Sequence, residues 1–467
     1  MPDAPIAPRS NITPGAYRPM NRRKSPLLMN LFNRRRWRDF ADWMVIAVAA
    51  ALPWSTSAVG ILIALWIIAL LPTLPVAAVR RELLSVAGGL PVVLWLFAGA
   101  GMLWSDVAWA ERFAWFGSFH KLLAIPLLLA QFRSSERSTW VFAAFLLSCS
   151  TLLTVSYFLA LRPDLAWRGV NSLSGVPVKD YVAQSGEFVL CAFAVLPIAF
   201  GPVRRRPLLA VGIYALAALF IANVFYVASG RTALVVVPVL VIVFALRRFG
   251  WKRGCAVLLT ATIAGWLIWQ SSTYLRMQMA LIPGEIERYS QENARTRIGE
   301  RLEFWKKSLA FIAQAPLVGH GTGSIKQLFQ ASAEGETGAS ALVPDNPHNQ
   351  TLAVGIQLGS VGVGLLYAMW LGHLFVFREG SAAGEGRAAA ALARESVAWI
   401  GLVVVLQNII SCLFNSHLFD FTQGWTYAFG VGVAAGALAR CENCERAVHS
   451  GSRTGSAPRK TSVEQPH

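Results

Sequence analysis

Residues 208–228 read LLAVGIYALAALFIANVFYVA, with Arg204-Arg205-Arg206 before them and Ser229-Gly230-Arg231-Thr232 after. At ~1.5 Å of rise per residue, an uncharged helix of this length covers about 30 Å, the thickness of a bilayer's hydrocarbon core. The chain as a whole agrees: of its 467 residues 55% are hydrophobic and only 14% charged. Soluble domains carry about 25% charged residues, so this chain lacks the polar surface to face water everywhere. Seventeen Trp and 26 Phe suit ring anchors at membrane interfaces.

Working outward from 208–228, about twelve apolar stretches are long enough to cross, given that a helix needs roughly 20 residues. They lie near 41–57, 58–76, 86–104, 114–132, 138–160, 184–202, 208–228, 232–247, 254–274, 349–377, 396–414 and 419–438. The expected fold is therefore an all-α polytopic membrane protein. The polar, basic N-terminus is too long for the n-region of a cleaved signal, so the first apolar segment is read as a signal anchor. With the N-terminus inside, one face holds 28 Lys and Arg against 11 Asp and Glu, and the other holds 14 of each. The whole net charge of +17 thus falls on one side. Positive-inside bias explains that excess without invoking nucleic acid as a partner, and makes the basic side cytoplasmic.

This topology divides the chain into a basic cytoplasmic arm (1–40), membrane helices one to nine (41–274), a long outer, periplasmic loop (275–348), helices ten to twelve (349–438) and a cytoplasmic tail read as disordered (439–467). A loop as long as 275–348, with a helical pattern of its own, is where function is expected. Cys149, Cys191, Cys255 and Cys412 fall in apolar segments and read as small apolar residues. Cys441 and Cys444 form a lone C-x-x-C in the tail, too little to make a metal or redox centre.

Three outer-side features carry candidate chemistry. Arg231, in the tight turn Ser229-Gly230-Arg231-Thr232, sits at the membrane surface with no acidic neighbour in sequence. Such an arginine snorkels, pairs or lines a wet cavity, and an anion is one partner it can hold. In Arg297-Ile298-Gly299-Glu300-Arg301-Leu302-Glu303-Phe304-Trp305, helical spacing puts Arg297, Arg301 and Trp305 on one face. Two guanidiniums at i, i+4 repel unless an anion bridges them, and Trp305 can stack on Arg301. The competing reading is an amphipathic helix lying on the membrane with its apolar side buried. Third, Asp345-Asn346-Pro347-His348-Asn349-Gln350 opens the tenth membrane helix. Asp345 and Asn346 are candidate caps and Pro347 suits the first turn. His348 then lies where the helix dipole favours a neutral imidazole, suited to taking a proton from a hydroxyl. Alone, it would read as an ordinary helix-cap histidine. Gly319-His320-Gly321-Thr322-Gly323 is read as a structural turn, since no phosphate-loop lysine follows it. No His-Glu-x-x-His, Asp-x-Asp or zinc-spaced Cys/His set occurs outside, and Glu187 and Asp180 stand isolated. Metal-independent chemistry without a cofactor is expected, with arginine supplying the positive charge.

These motifs, Ser-Gly-Arg-Thr at 229–232, Arg301 with Trp305, Gly-His-Gly-Thr-Gly at 319–323, Pro-His-Asn-Gln at 347–350 and Phe-Asn-Ser-His-Leu-Phe-Asp-Phe at 414–421, resemble the O-antigen ligase/polymerase superfamily, and the last looks like its ligase branch. The resemblance covers roughly residues 225–425. It implies an undecaprenyl-diphosphate-linked O-antigen donor and a sugar hydroxyl of the lipid A core as acceptor, at the outer face of the inner membrane. By that resemblance Arg231 and Arg301 would grip the diphosphate, with Arg297 beside them. His348, next to Asn349, would be the base in one inverting displacement. Trp305 would position Arg301, Asp345 would orient His348 or cap its helix, and Lys179 would be a further diphosphate contact.

Other readings stay open at this point. A repeat-unit polymerase would use the same donor with a different sugar acceptor. A protein O-oligosaccharyltransferase would modify Ser or Thr. A transporter for anions would also use intramembrane arginines, although no paired interrupted helices stand out in two matching halves.

Overall fold

The computed structural model describes residues 33–166, 175–200, 203, 206–228, 230, 232–378 and 388–454. Most of the basic arm, the end of the tail, and the arginines at 204, 205 and 387 lie outside these residues. The described chain is helical, with no strand. In order the helices are α1 (Arg34–Ala51), α2 (Thr56–Leu70), α3 (Val76–Leu83), α4 (Val86–Gly101), α5 (Trp109–Gly117), α6 (Ala124–Phe132), α7 (Ser138–Leu161), α8 (Tyr181–Ala194), α9 (Leu196–Phe200), α10 (Pro207–Tyr226), α11 (Ala233–Arg248), α12 (Trp251–Ser271), α13 (Thr273–Glu292), α14 (Arg297–Gln314), α15 (Ile325–Ala333), α16 (Gln350–Arg378), α17 (Ala388–Cys412) and α18 (Phe421–Thr454).

Six helical spans among the described residues are long and apolar enough to cross a membrane, or up to eight if two bent pairs each count as one. That is fewer than the twelve stretches read from the sequence. The reasons are local. The first stretch becomes α1, which begins with three arginines, and the second becomes α2, only 15 residues long. The third and fourth belong to the bent pairs, α3 with α4 at 81° and α5 with the 3-10 turn and α6 at 44°. The eighth becomes the 16-residue α11, and the twelfth the Gly-, Thr- and Tyr-bearing start of α18. The tail beyond 438, read as disordered, continues α18 to Thr454. Its Ala-, Arg- and Glu-rich sequence favours helix, and Arg440 pairs with Glu136 at 2.6 Å.

Polar groups inside the bundle are satisfied internally, as an apolar surround requires. Asp42 on α1 accepts from Gln131 (2.7 Å) and Ser135 (2.6 Å), and Gln131 in turn accepts from the buried Trp66 indole. Buried His373 is held between Tyr427 (2.6 Å) and the Ala87 carbonyl (2.9 Å).

The arginines assigned to one side by the sequence gather at one end of the bundle. There, buried Glu82 accepts from Arg81 and Arg133, Arg137 meets Asp39, Arg248 meets Glu395 and Arg394 meets Glu442. The starts of α8, α16 and α18 meet at the other end: Lys179 donates to Thr422 (2.9 Å), and Leu418 N donates to Gln350 Oε1 (3.1 Å).

One feature of α16 escaped the sequence. The helix breaks at Gly359 (φ 60°, ψ −161°). The amides of Ser360 and Val361 donate to the Pro316 and Leu317 carbonyls, and the Ile356 and Gln357 carbonyls accept from His320 and Gly321. A broken helix is tolerated at membrane depth only when the freed groups find partners in this way. The loop 316–323 is thus a strap across the break, and His320 is structural, its Nε2 2.8 Å from the Phe311 carbonyl. A Cβ at Gly359 would stand 2.3 Å from the Leu317 carbonyl oxygen, in a backbone region closed to other residues. Gly359→Ala is therefore expected to destabilise the fold by about 3 kcal/mol, read as a lowered thermal midpoint in detergent. An unchanged midpoint would show that the strap yields without cost.

Candidate active site

His348 precedes α16 in a turn made by its neighbours. Asn349, rather than Asp345 or Asn346, caps the helix: its Oδ1 accepts from Leu352 N (3.1 Å) and its Nδ2 donates to the Leu413 carbonyl (3.0 Å). Asn346 Oδ1 accepts from both His348 N (2.9 Å) and Ser416 Oγ (2.7 Å). These bonds hold His348 at φ 54°, a left-handed conformation uncommon outside glycine.

The imidazole Nδ1 lies 2.9 Å from Asn415 Oδ1. The Asn415 amide can face only one way, because its Nδ2 donates to Asp420 Oδ2 (3.1 Å), a carboxylate oxygen that cannot donate back. Oδ1 must therefore accept from His348, which puts the proton on Nδ1 and the lone pair on Nε2. The same Asp420 oxygen accepts from His417 Nδ1 (3.0 Å). Buried Lys121 secures this connection from the other side, donating to the Phe419 carbonyl at 2.6 Å. The result is a chain, His348–Asn415–Asp420–His417, built on the turn between α17 and α18.

The helix α14 brings the arginine. Its N-cap is Thr296, whose Oγ1 accepts from Gly299 N (3.0 Å). On its second turn Phe304 stacks on the His348 ring, with centroids 6.4 Å apart and planes 27° from parallel. Arg301, half-buried, lies one turn before, and Trp305 follows with its indole N–H buried and without a partner. Glu303 on the opposite side is buried and accepts from the Tyr289 hydroxyl (2.6 Å). Burial and this carboxylate push the Tyr289 phenol up to about 12. The structure therefore brings Arg301 and Trp305 to the helix that covers His348.

Other expected members stand elsewhere. Arg297 is exposed and turned to Glu285 (3.6 Å), so the face drawn through Arg297, Arg301 and Trp305 divides once α13 supplies a carboxylate. Asp345 is largely exposed and pairs with Lys326 (3.4 Å); the residue that orients His348 is Asn415. Lys179 donates to Thr422 Oγ1 and the Leu52 carbonyl, tying loops together. Arg231 and Ser229 lie outside the described residues. Their neighbour Gly230 is in contact with α8, where a Cβ would stand 2.5 Å from Ser185 Oγ. Thr232, Glu187, Gln407 and His417 all line one cleft between α8, α11, α17 and α18. Thr232 and the His417 end of the histidine chain thus line a common cleft.

Residues 215–367 match the family model described as O-antigen ligase. Over that third of its length the chain is similar to O-antigen ligases. That match spans Arg301, Trp305 and His348, and the family groups glycosyltransferase-like enzymes of O-antigen assembly. No match was found among curated proteins. The match ends before Asn415 and Asp420, which the structure links to His348 by hydrogen bonds. Their signal was the polar run Asn415-Ser416-His417 with Asp420, in an otherwise apolar part of the chain. Among the described residues, no three His, Cys, Asp or Glu side chains are grouped so as to hold a metal ion.

Proposed function

We propose that the protein is an O-antigen ligase, transferring polysaccharide from undecaprenyl diphosphate to a sugar hydroxyl of the lipid A core at the periplasmic face of the inner membrane. The observation that carries this reading is the His348 imidazole, fixed by Asn415 with its basic Nε2 left for a substrate proton. His348 takes the proton of the acceptor hydroxyl as that oxygen bonds to the anomeric carbon. The bond from this carbon to the diphosphate oxygen breaks, and its electron pair leaves with the diphosphate. Arg301, with Arg231, meets the charge that develops there. One displacement inverts the anomeric centre, so no covalent sugar–enzyme intermediate forms. Asn415 and Asp420 are positioning residues: they fix the ring's tautomer and favour the imidazolium once formed.

The periplasmic placement is supported by the arginine-rich opposite end of the bundle, which positive-inside bias assigns to the cytoplasm. It follows from the same bias that both termini are cytoplasmic, that residues 275–348 form the periplasmic loop, and that the shorter and bent helices complete about twelve crossings.

The test supplies purified protein with lipid-linked donor and either lipid A core or a second lipid-linked sugar. Product on the core alone supports the ligase; product on the lipid-linked sugar alone makes the protein a polymerase. Transfer is expected to persist in excess EDTA, because arginine supplies the charge a metal would otherwise supply. Loss in EDTA that a divalent ion restores would overturn the metal-independent mechanism.

A further inference from the structure

The cleft shared by Thr232 and His417 holds two polar atoms that the histidine chain does not use. Glu187, on the second turn of α8, is 4% exposed, and its Oε1 has no hydrogen-bond partner. Gln407, across the cleft on α17, donates from Nε2 to the Gly186 carbonyl at 2.7 Å. That bond fixes the amide and leaves its Oε1 buried without a partner. Both orphans are acceptors, and both residues line the cleft. An unmet buried acceptor costs about 1–3 kcal/mol, so two of them in the wall of one cleft mark a place where a ligand supplies the donors.

We propose that Glu187 and Gln407 form a sugar subsite, accepting hydrogen bonds from the hydroxyl or amide N–H groups of a glycan unit. The chemistry of the walls selects that class. Among the described residues the lining of the cleft holds oxygens and hydroxyls but no Lys or Arg, which suits a glycan better than a diphosphate. Ser185, Thr232 and Ser411 add hydroxyls, while Val236 and Val404 supply apolar surface for the C–H faces of a ring. The cleft reaches His417, so a sugar held here lies beside the chain that ends at His348. This inference rests on the transferase reading and adds what the cleft recognises.

The sugar can belong to the donor or to the acceptor, and binding measurements on protein in nanodiscs separate the two. The ligands are undecaprenyl diphosphate, the same lipid carrying oligosaccharide, lipid A core, and lipid A stripped of its core sugars. Wild type is expected to bind one sugar-bearing lipid about tenfold more tightly than its bare counterpart, the worth of one or two hydrogen bonds. Glu187→Leu is expected to erase that gain while leaving the bare lipids unaffected, and Glu187→Gln to keep part of it. Gln407→Leu, at a half-buried position, gives the same readout should Glu187→Leu fail to fold. A gain on the oligosaccharide lipid assigns the subsite to the donor, and a gain on lipid A core assigns it to the acceptor. If the folded variants keep the full gain, or wild type shows none, the subsite is wrong and the transferase reading stands. If wild type binds none of the lipids, that reading falls and takes the subsite with it.

Discussion

Replacing His348 with alanine is expected to abolish transfer while lipid-linked donor accumulates. A positioned general base contributes about 10²–10⁴-fold, and here no second imidazole is oriented to replace it, since His417 Nδ1 is committed to Asp420. Alanine also loses the left-handed turn that histidine holds at φ 54°, so its effect alone would mix chemistry with backbone. His348→Asn separates them. Asparagine tolerates the left-handed region but has no basic nitrogen, so it should fold like wild type and fail like alanine. The measurement is the lipopolysaccharide ladder and the pool of undecaprenyl-linked polysaccharide in cells that depend on this protein. A wild-type ladder from a folded His348→Asn variant would remove the base from the mechanism.

How much of this was legible beforehand follows the range of each interaction. Helicity, the basic asymmetry and the start of α16 are local, and the sequence shows them directly. The tautomer of His348 was out of reach, because it depends on Asn415 and Asp420 in a different turn, brought together only when α17 and α18 pack beside α16. Arg297 and Arg301 do share a helix, but the sequence could not tell that Glu285 on α13 would claim Arg297. The break at Gly359 was out of reach as well, because its freed groups are met by the distant strap 316–323. Only six to eight of the expected crossings stand out as long apolar helices for a related reason: bends such as the 81° turn between α3 and α4 divide an apolar stretch that a hydropathy window reads as continuous. Glu187 was set aside as isolated because its counterpart, Gln407, lies on another helix.

Arg301→Lys is expected to cost about 10²–10³-fold in kcat, the loss seen when one preorganised donor to a developing negative charge is removed. The substitution keeps the charge, so a purely electrostatic steering role would be nearly unaffected by it. What it removes is geometry. Guanidinium presents two parallel N–H groups to a pair of phosphate oxygens, whereas an ammonium is a single compact donor on a flexible stem. The helix itself should survive, because lysine is as good a helix former as arginine. The packing of Phe304 and Phe311 on Phe329, which seats α14, involves neither side chain. The variant should therefore fold, bind donor with a modest change in KM, and turn it over slowly. Such a pattern places the contact in the transition state, where the diphosphate gathers charge as its bond to the sugar breaks. A large rise in KM with kcat intact would make Arg301 a ground-state binding residue, and full activity would remove the diphosphate clamp from the mechanism.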